Sequence, residues 1–157
     1  MKNKKEPFRE SQRFTQWWVW VVLIGTGTLP YIPYFTGAYS QGSASGLVGS
    51  SIIMLIMALL FLVLRLETTI DEDGIRIQFF PFHFKSRFYS WNEIKRMGVR
   101  QYSPLREYGG WGIRGLSKKN RAFNVKGNWG LQLEFENGDL LLIGTSKPEE
   151  LQNWLDS

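Results

Sequence analysis

The sequence predicts an α+β membrane protein: a pair of transmembrane helices, then a small antiparallel β barrel or sandwich closed by a short C-terminal helix. Three observations carry this. From Thr15 to Leu64 there is no Asp, Glu, Lys or Arg. From Glu67 onward apolar residues alternate with polar ones, the period of strands. Near the end, Ser146-Lys147-Pro148-Glu149 has the form of a capping box with proline in the first turn, which predicts a helix over "PEELQNWLDS".

The 157 residues contain no cysteine, which excludes disulfides, thiolate metal sites and cysteine nucleophiles. The net charge of +5 is unevenly placed. Residues 1–13 carry Lys2, Lys4, Lys5, Arg9 and Arg13 against Glu6 and Glu10, and Arg65 follows the uncharged interval. We expect 1–13 to be a basic cytoplasmic tail, 14–66 a helical hairpin, and 67–157 a cytoplasmic β domain.

Two apolar runs lie in the uncharged interval, at about 17–35 and 47–64. At 1.5 Å per residue each spans roughly 27–28 Å, close to the hydrocarbon thickness of a bilayer. The rest of the chain is too short to wrap both helices in a soluble core. Basic residues flank the pair and the linker "TGAYSQGSASG" has none, so both termini are expected in the cytoplasm of a cell whose inner (plasma) membrane the chain crosses twice. Ala38-Tyr39-Ser40 would also suit signal-peptide cleavage, but the second run would then stop transfer and leave the C-terminal part inside. Pro30 and Pro33 should kink or unwind the outer third of the first helix. Gly25-Thr26-Gly27-Thr28 and Gly46, Ser50, Ser51 and Ala58 provide small faces, suited to close packing or to a transport path.

In the C-terminal part, Asp71-Glu72-Asp73-Gly74 predicts a turn, with Ile75, Ile77 and Phe79 alternating behind it. "FKSRFYSW" and "IKRMGVRQY" come next as extended segments. Leu131, Leu133 and Phe135 alternate into Asn137-Gly138, a two-residue hairpin signal before "DLLLIGT". About seven strands are expected in all.

"GGWGIRG" (Gly109–Gly115) contains the G-x-G-x-x-G spacing of dinucleotide sites. That fingerprint needs a preceding strand, a helix starting at the glycines and a parallel sheet. Gly115 leads instead into "LSKKNRAFNVKGN", which has no helical periodicity, so the glycines are expected to mark a bent or bulged strand.

The D-x-D-G turn with its succeeding strand, Trp91-Asn92-Glu93-Ile94, "PLREYGGWGIRG", "AFNVKGNWGLQLEF" and "GDLLLIGTSKPEEL" together resemble the bacterial PH-domain-like membrane proteins, over about residues 67–155. The resemblance implies a pleckstrin-homology-type barrel for this part. Its first turn is acidic (Asp71, Glu72, Asp73), where lipid-binding eukaryotic PH domains carry basic residues, so familiar phosphoinositide binding is not expected.

Two stretches are candidate contact sites. "FFPFHFKSR" holds Phe80, Phe82, Phe84, Lys85 and Arg87; the phenylalanines suit filling the barrel and packing the turn, or, with the basic groups at headgroup level, resting in a lipid interface or on a partner. Between Glu107 and Glu134 lie Arg114, Lys118, Lys119, Arg121 and Lys126 without an acidic residue, interleaved with Trp111, Phe123 and Trp129. This pattern suits a solvated loop, an anionic leaflet, or a protein or nucleic-acid partner. Tethering to a membrane favours the leaflet over nucleic acid. His83 is the single histidine, and no carboxylates pair for acid–base work, so neither metal, cofactor nor catalysis is expected. The expected role is a non-catalytic, membrane-anchored binding or scaffolding module. Its partners would be the bilayer, anionic inner-leaflet lipids, and a membrane protein or a second copy. The alternatives are an accessory subunit of a transporter or channel, and a lipid-acting enzyme.

Overall fold

A computed structural model describes residues 5–37, 44–115 and 119–157. The chain forms two compact units. One is Thr15–Val63; the other joins the residues up to Phe14 to Leu64–Ser157.

The second unit begins before the helices. Phe8–Arg13 is a strand, β1, in which Phe8, Glu10 and Gln12 are buried and Arg9, Ser11 and Arg13 exposed. The basic tail expected over 1–13 is therefore sheet from Phe8 onward. Its partner lies on the far side of the helical segment. β2 (Arg65–Ile70) pairs with it antiparallel, from Phe8 opposite Ile70 to Arg13 opposite Arg65. β2 thus takes in Arg65 and Leu66, which were expected to belong to the helical hairpin.

The helical unit comprises α1 (Trp17–Thr28), a 3₁₀ turn (Leu29–Tyr31), α2 (Ile32–Phe35) and α3 (Ala44–Val63). Both apolar segments, Trp17–Phe35 and Gly46–Val63, are long and apolar enough to cross a membrane. Proline changes the winding: the missing N–H groups of Pro30 and Pro33 tighten the chain into the 3₁₀ turn where the α1 ladder ends. α1 packs on α3 where Gly27 faces Met54, a site at which an added Cβ would meet the Met54 Sδ. Tyr31 also hydrogen-bonds Ser51 across the pair.

β3 (Gly74–Phe80) and β4 (Arg87–Ser90) complete an antiparallel four-stranded sheet in the order β1-β2-β3-β4. The Asp71 carboxylate builds the β2–β3 turn, accepting from the N–H groups of Asp73 (3.0 Å) and Gly74 (3.1 Å). A 3₁₀ turn, Trp91–Glu93, leads to the other strands: β5 (Ile94–Gln101), β6 (Gly112–Arg114), β7 (Asn120–Asn124), β8 (Trp129–Phe135) and β9 (Leu140–Thr145). These form a second sheet in the order β5-β8-β9-β7-β6.

The barrel expectation is corrected here. There are two separate sheets, and they do not close into a barrel. Nor is the pairing wholly antiparallel, because β7 runs parallel to β9. Between β7 and β8 the chain has only residues 125–128, yet β9 lies between those strands. The core is supplied by alternate residues of both sheets: Leu66, Ile75, Ile77 and Phe79 from the first, Phe123, Leu131, Leu133 and Leu141 from the second.

Two local expectations also change. The β8–β9 connection is a three-residue loop, since Phe135 N–H donates to the Asp139 carbonyl (2.9 Å) and Gly138 takes a left-handed φ of 81°. The capping box at Ser146 does not form. α5 (Pro148–Asp156) has no side-chain cap bond, because Ser146 Oγ is engaged by Glu10 (2.6 Å).

That engagement ties the segment before the helices to the end of the chain. The buried Glu10 carboxylate accepts from Thr145 Oγ1 (2.6 Å), Ser146 N–H (2.8 Å) and Ser146 Oγ (2.6 Å). Gln12 Nε2 donates to the Gly144 carbonyl at 2.6 Å. Trp154 Nε1 on α5 donates to the Glu6 carbonyl at 2.7 Å. The inward polar residues of β1 thus clamp the β9–α5 junction.

Candidate membrane-contact site

Register decides what lies at each end of the first sheet. Arg13 is opposite Arg65, and Arg65 is opposite Phe80. The end of β1, the start of β2 and the end of β3 therefore share one edge of the sheet, where the chain leaves for α1 and returns from α3. The Asp71–Gly74 turn occupies the opposite edge.

Pro81 ends β3, and the turn to β4 projects from the edge that holds Arg13 and Arg65. Phe80 is half-buried with the Arg65 guanidinium 5.4 Å from its ring centre, while Phe82 and Phe84 are 58% and 81% exposed. Lys85 and Arg87 are exposed as well. The turn is fixed from behind. Gln78 Nε2 donates to the carbonyls of His83 and Phe84, each at 3.2 Å, and His83 N–H donates to the Phe79 carbonyl at 2.8 Å. Burial and the neighbouring Arg87 hold the His83 imidazole below its ordinary pKa.

Phe123 on β7 is where this turn meets the second sheet. The His83 ring stands edge-on to it at 5.4 Å, and the Arg87 guanidinium lies 5.8 Å from its centre. The four other basic candidates among the described residues are not gathered at that point. Arg114 on β6 is exposed, donating from Nε to the Trp111 carbonyl at 2.8 Å. Lys119 precedes β7 and Lys126 comes after it, so a whole strand separates them. Arg121 is half-buried and lines a cleft of about 460 Å³ with Tyr89, Glu93, Phe135 and Asp139. Lys118 lies outside the described residues.

The G-x-G-x-x-G stretch is accounted for by turns. Pro104–Tyr108 is a short helix, α4, that ends at Gly109, and β6 begins at Gly112. Gly115 has a φ of 86°, and a Cβ there would strike the Asn120 carbonyl across the β6–β7 connection. α4 had no place in the strand pattern. Its signal is Ser103-Pro104 with Glu107, whose Oε1 accepts from Ser103 N–H at 2.7 Å, one half of a capping box spaced by four residues rather than three, the Ser103 side chain making no cap bond. Glu107 also binds the Arg100 guanidinium at 2.7 Å, which holds its carboxyl below the usual range and raises Arg100. These groups fasten α4 to β5.

Within the helical unit, α1 and α3 leave a cleft of about 260 Å³ lined by Leu23, Thr26, Gly27, Ser50, Met54 and Met57. Thr26 Oγ1 donates to the Val22 carbonyl at 2.8 Å and Ser50 Oγ to the Leu47 carbonyl at 2.9 Å. These hydroxyls turn inward on their own helices, which fits packing better than a polar conduit. Among the described residues no three His, Asp or Glu side chains gather in a way that could hold a metal ion.

The lowered imidazole makes one prediction. His83 is more readily protonated unfolded, at about pH 6.5, than folded, so the unfolded chain binds more protons as pH falls. The stability His83 contributes is complete above that pH and declines as pH drops through its folded pKa. Thermal melts of the full chain in detergent between pH 7.5 and 5 should show the decline, and His83→Asn should flatten it. An unchanged slope in the variant would assign the titration elsewhere.

Comparison with models of known protein families and with curated proteins gives no match for this chain.

Proposed function

We propose that the protein is a non-catalytic, membrane-anchored binding or scaffolding module, presenting a pleckstrin-homology-like β domain at the cytoplasmic face with both termini on that side. The observation that carries this reading is the β1–β2 ladder. The strands on either side of the apolar helical pair are hydrogen-bonded partners along their whole length. Two paired strands occupy one side of a bilayer, so the segment between them crosses an even number of times. Two charge-free helices of spanning length meet that requirement.

The cytoplasmic assignment rests on the basic flanks, Lys2, Lys4, Lys5, Arg9, Arg13 and Arg65. Two sheets sharing one core, with a C-terminal helix after them, support likeness to the pleckstrin-homology type in layers, though not in closure. A scaffold needs rigid surfaces rather than converging reactive groups. The Arg100–Glu107 pair fastening α4 and the Glu10 clamp are structural in this sense.

In-membrane crosslinking of the full chain, read out by mass spectrometry, tests the scaffold role. One stable membrane-protein partner is expected in stoichiometric yield. Recovery of lipid and self-crosslinks alone would contradict it.

A further inference from the structure

We propose that the β3–β4 turn is a lipid-contact device. Phe82 and Phe84 enter the interfacial layer of the leaflet from which α1 and α3 emerge, and Lys85, with Arg13 and Arg65, binds anionic headgroups there. This rests on the membrane-anchored reading above and adds a second, peripheral attachment to it.

Four observations converge. The turn springs from the sheet edge that holds Arg13 and Arg65, the residues flanking the helical segment. One residue, Leu64, separates α3 from β2, and three residues, 14–16, separate β1 from α1. At about 3.3–3.6 Å per residue these links are at most roughly 10 Å of chain, so that end of the sheet is the one tethered to the helical pair. Phe82 and Phe84 are the most exposed aromatic rings of the turn, set edge-on or tilted against Phe79 and Phe80, and Gln78 and the His83 N–H hold the turn's backbone in place. Ordering them on a bilayer therefore costs little loop entropy.

Charge selects the occupant. Between Asp73 and Glu93 there is no acidic residue; Lys85 lies in the turn and Arg87 at the start of β4, while Arg76 is paired with Asp71 at the opposite end. Glu67, on β2 beside this edge, is engaged by Arg65 at 3.1 Å. An anionic membrane surface complements exposed rings bracketed by cations. The acidic Asp71–Asp73 turn sits at the opposite edge, so the domain is polarised along the first sheet.

Because the chain lacks cysteine, single labels are unambiguous. Full-length Phe84→Cys, Asn137→Cys and Ile53→Cys would each carry a nitroxide and be reconstituted alone into phosphatidylcholine vesicles with or without about 30% phosphatidylglycerol, enough to set a negative surface potential. In the anionic vesicles the label at 84 should be shielded from an aqueous nickel chelate and open to oxygen, while the label at 137 stays open to nickel. Lys85→Gln should raise nickel access at 84 roughly fivefold, the ratio expected when one interfacial charge of about 1 kcal/mol is lost. Phe84 is exposed, so its substitution leaves the core intact, and an unchanged thermal melt checks this. Equal nickel access at 84 and 137, with 53 still shielded, overturns the lipid-contact device and leaves the anchor standing. Equal shielding at 84 in both lipid mixtures overturns the anionic assignment. Nickel access at 53 overturns the anchor itself, and the device with it.

Discussion

Glu10→Ala should destabilise the β domain by about 2–4 kcal/mol, because it leaves three donors at the β9–α5 junction without their acceptor. For a domain of this size that lowers the melting temperature by roughly 10 °C or more. Arg9→Ala and Ser11→Ala, on the exposed face of the same strand, should stay within about 0.5 kcal/mol of wild type. The contrast is the informative part. A cytoplasmic tail would tolerate all three substitutions alike, whereas a strand distinguishes its inward residue from its outward ones. Circular-dichroism melts of the full chain in detergent give the comparison, and equal, negligible shifts would remove β1 from the fold.

Phe123→Ala should cost about 3–5 kcal/mol, the range for an aromatic side chain deleted from a packed core. Phe123 is fully buried and touches both sheets, since His83 of the β3–β4 turn and Arg87 at the start of β4 lean on its ring. Its loss should therefore do more than leave a cavity. Hydrogen exchange at residues 81–88 should accelerate well beyond the change at the distant Asp71–Gly74 turn. Uniform acceleration across the domain would mean that Phe123 supports the core without positioning the turn.

The helical pair was legible because its signal is compositional: the interval from Thr15 to Leu64, free of charge, needs no partner to be recognised. The β2–β3 turn was legible for a different reason, since Asp71 and Gly74 carry turn chemistry within a single short turn. β1 was hidden on both counts. Only Phe8 among its inward residues is apolar; Glu10 and Gln12 are buried polar groups whose partners lie 135 and 132 positions away. Its strand partner waits beyond the helices, so no local pattern could announce the pairing. The parallel β7–β9 contact escaped similarly. Strands adjacent in sequence usually pair, and here β9 inserts between β7 and β8.

The candidate site divides along the same line. Phe82, Phe84, Lys85 and Arg87 were visible as a composition, an aromatic and basic run around a proline. That the turn carrying Phe82, Phe84 and Lys85 springs from the end holding Arg13 and Arg65 depends on register alone, and the same register sets Arg87 opposite Ile77, three residues inside it. The basic run after Glu107 suggested one surface, yet strand alternation turns Arg121 toward a cleft and β7 keeps Lys119 apart from Lys126.

Impermeant-maleimide labelling of single cysteines in intact cells tests the central claim most directly: one side of the membrane holds both flanks of the helical pair. Thr36→Cys, between the helices, should react from outside, while Lys5→Cys and Ser157→Cys should react only after permeabilisation. Reaction of Ser157→Cys in intact cells while Lys5→Cys stays protected would place the paired strands on opposite sides of the bilayer and contradict the account.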